Sequence, residues 1–185
     1  METQRPSNVQ YIDKHDRTWQ QHLHKIKQIQ SYTAEGKVGY ISSKKRFSTH
    51  FRWQYNNPQF YTLTLSSTLT GDQVVLEKNE KDIRITDTQG HYRTAENTET
   101  LLKEIIGIAI PLSQLTSWLK GQPNEQIDYH VGKNHLLADF FYFIENQLWT
   151  IDYLKYSTGS VPLPEDILLK NADQTLKIKV DSWKY

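Results

Sequence analysis

The chain has 185 residues, 22 of them basic and 21 acidic, giving a net charge of +1, and it contains no cysteine. A balanced charge removes the field that draws a protein onto nucleic acid or an anionic bilayer. Without cysteine there is no disulfide, no thiolate nucleophile and no cysteine-ligated metal. The stretch from Met1 to Asn8 has no apolar core and no long apolar run occurs later, so no helix is expected to span a membrane. The length suits a single domain over residues 11–185, after a flexible polar lead-in over 1–10.

Five Trp, eleven Tyr and six Phe stand in a chain whose mean hydropathy is only −0.70. Apolar mass held in a few large side chains among polar neighbours suits strands with one oily and one wet face.

From Tyr11 to Ser31, the residues Trp19, Leu23, Ile26 and Gln30 recur at helical spacing, which predicts an amphipathic helix lying on an apolar surface. Strands follow. Lys37 to Ser42 leads into a turn, and Phe47, Thr49, Phe51 and Trp53 then alternate with Ser48, His50, Arg52 and Gln54 until Asn56-Asn57-Pro58 ends the run. Tyr61, Leu63 and Leu65 alternate with Thr62, Thr64 and Ser66, and Val74 and Leu76 alternate with Gln73, Val75 and Glu77. The connection between these two strands is small and polar except for Leu69. Its local pattern leaves two readings open: Leu69 folds back onto its own hairpin, or it stays exposed to a second apolar phase.

A further strand, Asp82 to Thr86, precedes the turn Asp87 to Gly90. No crossover helix interrupts this series, so an antiparallel meander is expected. The period then changes. Asn97 or Thr98 can cap a helix through Leu101, Leu102, Ile105 and Ile106 that Gly107 closes. Pro111 can open another through Leu112, Leu115, Trp118 and Leu119, so residues 97–121 read as a helical insert. Strands resume over 129–131, 136–144, 149–156, 166–170 and 175–183. Ten or eleven strands in one sheet curl strongly or close, and the apolar face becomes either a filled core or the lining of a cavity.

Little in the chain carries reaction chemistry. Seven histidines are scattered, and His22 and His24, two apart on a helix, point in different directions. No zinc-protease, hydrolase or phosphate-loop motif occurs, so no catalytic residue, metal ligand or cofactor is expected. Arg46 and Arg52 among aromatic residues would suit nucleotide stacking, but alternation sends Arg52 to the face opposite Phe51 and Trp53. No nucleic-acid partner is expected. Singly, Trp19, Trp118 and Trp183 read as core; together they could line an apolar cavity.

In order and spacing, several segments resemble the LolB family, the outer-membrane lipoprotein receptors of the lipoprotein sorting pathway. They are Trp19, the run Ile29-Gln30-Ser31-Tyr32-Thr33-Ala34-Glu35-Gly36-Lys37-Val38-Gly39-Tyr40-Ile41, Phe51-Arg52-Trp53-Gln54, and Tyr61 to Leu65 followed by Leu69. Ile110-Pro111-Leu112, Trp118 to Pro123, Trp149 to Tyr153, Pro164 with Ile167 to Leu169, and Lys177 to Trp183 continue the match. The resemblance implies a mainly β fold, an unclosed antiparallel barrel of about eleven strands with covering helices. It implies no enzyme, but a receptor that takes triacylated lipoproteins from the periplasmic carrier LolA and places them in the inner leaflet of the outer membrane. The implied partners are LolA, lipoproteins and outer-membrane phospholipid, with the chain a monomer. Leu69 corresponds to the family's exposed loop residue. For the acyl-chain cavity, strand phase selects Tyr40, Phe51, Trp53, Leu63, Leu65, Val74 and Leu76, with Trp118 and Trp149 near the helices. Family members are anchored through an acylated N-terminal cysteine after a signal peptide. This chain has neither and is expected to be a soluble form. The loop also departs from the family in lacking a proline before Leu69 and a glycine directly after it. A soluble periplasmic carrier of lipids or other apolar ligands is the alternative function, and a structural module binding protein through a sheet edge is a third.

Overall fold

Alternating apolar and polar side chains fold into one continuous antiparallel sheet. The computed structural model describes residues 3–67 and 69–185; Met1 and Glu2 of the expected lead-in and Thr68 of the Leu69 loop lie outside the described residues. In chain order the elements are β1 (Tyr11–Ile12), α1 (Arg17–Lys27), β2 (Tyr32–Ser42), β3 (Arg46–Asn57), β4 (Phe60–Ser66), β5 (Gln73–Asn79), β6 (Asp82–Thr86) and β7 (Tyr92–Ala95). Then come α2 (Thr98–Ile106), α3 (Leu112–Trp118), β8 (Tyr129–Gly132), β9 (Leu137–Ile144), β10 (Gln147–Tyr156), β11 (Pro164–Lys170) and β12 (Gln174–Lys184). The strand order is β1-β8-β9-β10-β11-β12-β2-β3-β4-β5-β6-β7, with β1 and β7 as free edges, so the curled sheet is not closed.

The β2–β12 pairing, from Gln174↔Ser42 to Lys184↔Thr33, joins the two halves of the chain. Its register shifts between Val180 and Ser182, a bulge that increases local twist and helps the sheet curl. Gly36 faces that bulge, where an added Cβ would lie 1.8 Å from the Lys179 carbonyl oxygen. Only glycine fits there.

Two short strands exceed the sequence expectation. Tyr11–Ile12 pairs with β8 instead of opening the first helix, and Tyr92–Ala95 adds an edge to β6. Helix α1 starts later than expected because the Asp16 carboxylate accepts from the Trp19 amide at 3.0 Å and caps it there. The helical insert follows its end signals. Asn97 Oδ1 accepts from the Thr100 amide at 2.8 Å, and Gly107, at φ 85, closes α2 with its N–H on the Lys103 carbonyl. Pro111 takes the N-cap position of α3.

Registers also assign every turn to an end of the sheet. The turns at 145–146, 171–173, 43–45, 67–72 and 87–91 follow one another along one rim. Helix α1 sits at the opposite end, where the Lys120 ammonium donates to the carbonyls of Ile26 (3.1 Å) and Ile29 (2.7 Å). Burial pushes Lys120 from its ordinary 10.5 down to about 8, while the Ile26 carbonyl in the last turn of α1 and the Ile29 carbonyl just beyond it accept from the charged form. The contact ties α1 to the segment just after α3.

Candidate functional site

The concave face of the sheet and the two insert helices enclose an apolar space. Val38 of β2, Phe51 and Trp53 of β3, Leu63 and Leu65 of β4, and Leu176 and Ile178 of β12 form its floor; Leu102, Ile110, Leu115 and Leu119 form its roof. Among the described residues no polar side chain lines it. Its cavity volume is about 50 Å³, far less than an acyl chain needs.

Four of the nine residues selected from strand phase, Phe51, Trp53, Leu63 and Leu65, border this space. The other five do not border it. Tyr40 is buried beside it, with its hydroxyl accepting from Gln174 at 2.7 Å and its ring 5.3 Å from Phe47. Leu76 is buried and Val74 half-buried on the neighbouring strand. Trp118 packs edge-on against Phe140 and Tyr142 under the β9–β10 side of the sheet, and Trp149 is buried on β10. The roof and the β12 wall are the residues that strand phase alone misses. Their signals were present: the Leu and Ile stripe of the insert, and the alternation of Leu176, Ile178 and Val180, which must face the same side as β2.

Different bonds hold the two ends of the roof. Near α3 they are buried: Tyr32 Oη donates to the Thr116 carbonyl at 2.7 Å, Tyr153 Oη to the Trp118 carbonyl at 2.5 Å, and Trp53 Nε1 to Tyr32 Oη at 3.1 Å. At the rim that carries the 67–72 loop they are few: two exposed ion pairs and one part-buried hydrogen bond. Lys103 of α2 pairs with Glu145 at 2.9 Å, Arg93 pairs with Glu104, and Gln174 Nε2 reaches the Gly107 carbonyl at 3.3 Å. Exposed pairs of this kind contribute about 0–1 kcal/mol each. The roof is firm at one end and lightly fastened at the other.

Leu69 stands at that lightly fastened rim, 96% exposed. Its side chain does not return to its own hairpin. The loop is shaped beneath it: Ser67 N–H donates to the Asp72 carbonyl (2.9 Å), Gly71 N–H donates to the Ser67 carbonyl (3.0 Å), and Ser67 Oγ accepts from the Leu69 and Thr70 amides. Gly71, at φ 74, takes the left-handed turn position. Ser67 and Gly71 thus provide order in a loop without the family's proline.

The outer face carries a buried polar cluster that the sequence did not reveal. Asp139 and Asp152 are cross-strand partners, each 2% exposed. Arg5 Nε donates to Asp152 at 2.9 Å, while Tyr11 Oη (2.5 Å) and His130 Nδ1 (2.7 Å) meet Asp139. Burial raises the Asp152 carboxyl, and the Arg5 guanidinium opposes this. With every carboxylate engaged, the cluster fastens residues 3–12 across the outer face. Among the described residues, no three metal-ligating side chains gather into a site, and no helix is long and apolar enough to cross a membrane.

The half-open antiparallel sheet roofed by helices over an apolar face recurs in solved structures. A LolA superfamily protein from Nitrosomonas europaea superposes with a TM-score of 0.59 at 10% identity, covering 91% of this chain and 94% of that one. The family model described as outer membrane lipoprotein LolB matches residues 30–183. The outer-membrane lipoprotein LolB of Pasteurella multocida is 52% identical over 185 residues, covering 100% of this chain and 89% of the relative. Its counterpart from Haemophilus influenzae strain Rd is 50% identical over 187 residues, with 100% and 89% covered. The chain belongs to the LolB family, outer-membrane lipoproteins that act as receptors in lipoprotein localization and are not enzymes.

Proposed function

We propose that this chain accepts the acyl chains of lipoproteins from LolA into the space beneath α2 and α3 and releases them into the inner leaflet of the outer membrane. The observation that carries the reading is the all-apolar enclosure at a lightly fastened roof, next to a fully exposed leucine. Each methylene withdrawn from water is worth about 0.8 kcal/mol, so acyl chains cannot pass through solvent and must move between contiguous apolar surfaces. Transfer runs downhill when the cavity holds the chains more tightly than the carrier does and the bilayer more tightly still. A single exposed leucine at the mouth brings that mouth onto lipid.

The enclosure is too small at rest, so loading requires the roof to lift. Lifting at the rim breaks the polar contacts of Lys103, Arg93 and Gln174 and unpacks the buried Leu101 and Leu102, while the buried tyrosine bonds near α3 act as the hinge. Joining Lys103→Cys to Glu145→Cys with a short bifunctional cross-linker is therefore expected to abolish uptake of a fluorescent triacylated lipopeptide. The same variant without cross-linker should take it up normally. Uptake by the cross-linked protein at the uncross-linked rate would contradict opening at this rim.

A further inference from the structure

The rim that carries Leu69 holds a second apolar projection. The β9–β10 hairpin turns through Glu145 (φ 50) and Asn146 (φ 64), two adjacent left-handed residues that make a tight two-residue connection. Directly behind this turn, Phe143 and Leu148 are cross-strand partners on the outer face, 67% and 47% exposed. Phe141 follows one step further along, with the Arg5 guanidinium 5.4 Å from its ring centroid. A rigid hairpin thus holds apolar side chains in water at the edge of the molecule.

Two further features share this rim. Lys44 and Lys45 in the β2–β3 turn and Arg46 at the start of β3 are all exposed, and none is in an ion pair among the described residues. The Lys170 ammonium donates to the Thr3 carbonyl at 2.9 Å, so the chain comes onto the outer face at this end too. The β9–β10 tip and the Leu69 loop are six strand spacings apart along the sheet, about 29 Å at the usual spacing, with the basic turn between them. One apolar point lets a body pivot on a surface, whereas separated points fix how it lies.

Building on the reading that Leu69 meets lipid, we propose that Phe143 and Leu148 form a second bilayer contact and that Lys44, Lys45 and Arg46 add a contact to anionic headgroups. Together the three would fix the angle at which the cavity mouth faces the membrane. The acidic turn residue of the tip, Glu145, is already neutralised by Lys103. Asp72, Asp87 and Asp173 also lie on this rim, so the attraction is local to the basic turn and is not a property of the whole edge.

The test is co-flotation with vesicles of phosphatidylethanolamine and phosphatidylglycerol (3:1) and with vesicles of phosphatidylcholine alone. It compares the chain with Phe143→Ser/Leu148→Ser, Lys44→Glu/Lys45→Glu and Leu69→Glu. The expected result is a loss of about ten-fold in partitioning to both vesicles for the Phe143/Leu148 variant, with an unchanged melting temperature. The lysine variant should lose about five-fold per charge on anionic vesicles only, and high salt should cancel that loss. Wild-type partitioning by the Phe143/Leu148 variant, with Leu69→Glu impaired, would overturn this proposal and leave the Leu69 reading standing. Loss by the Phe143/Leu148 variant with Leu69→Glu unaffected would support the hairpin contact and remove Leu69. If the Phe143/Leu148 variant floats normally but loses self-association or LolA binding, the patch is a protein interface and the proposal fails.

Discussion

Leu69→Glu is expected to melt within about 1 °C of the parent, to accept lipoprotein from LolA at the parent rate, and to lose most of its delivery into liposomes. The stability expectation follows from exposure: a side chain with almost all its surface in water forms no core contact, and such surface substitutions stay within about 0.5 kcal/mol. The loop is shaped by Ser67 and Gly71 through backbone bonds that a glutamate at position 69 does not touch. The delivery expectation follows from charge. A carboxylate cannot enter the lipid interface at the cost of a leucine, and introducing one removes the apolar contact while adding a desolvation penalty. Unchanged delivery by Leu69→Glu would remove the role given to this loop; a block at the LolA step would place Leu69 in carrier docking.

The second large effect is expected at Trp53, and its comparison with Trp149 separates wall from packing. Both indoles are 1% exposed, so each alanine variant should lose about 3–5 kcal/mol, on the order of 10 °C in Tm for a chain of this size. Only Trp53 borders the apolar enclosure, and its Nε1–H reaches Tyr32, whose hydroxyl holds α3. Trp53→Ala should therefore also change lipopeptide affinity when compared with the parent at a temperature where both are folded. Trp149→Ala should not. Equal affinity in both variants would assign Trp53 to packing alone.

Much of this architecture was legible in the sequence because its signals are local. The alternation of Phe47 to Trp53 and of Tyr61 to Leu65 fixed strand and face together, since a slip of one residue would turn every aromatic outward. Asn97 and Gly107 bounded α2 through bonds that involve only neighbouring residues. What was not legible depends on distant partners. Tyr11–Ile12 is too short to carry a period and becomes a strand only because β8 offers an edge. Lys120 reads as a surface lysine until α1 places its terminal carbonyls against it. Asp139 and Asp152 look like ordinary polar positions of an outer face, and it is the distant N-terminal segment, with Arg5 on Asp152 and Tyr11 on Asp139, together with His130 on Asp139, that makes their burial tolerable. The enclosure was half legible for the same reason: strand phase finds the floor, while the roof and the β12 wall require knowing what the helices cover.

The most direct measurement is transfer of an acylated lipoprotein from purified LolA to this chain, with the same lipoprotein lacking its acyl groups as control. The account predicts that cargo leaves LolA for the chain only when acylated, and that the transfer stops when α2 is cross-linked to the β9–β10 hairpin. Transfer that ignores acylation, or a folded chain that takes no cargo from LolA, would contradict it.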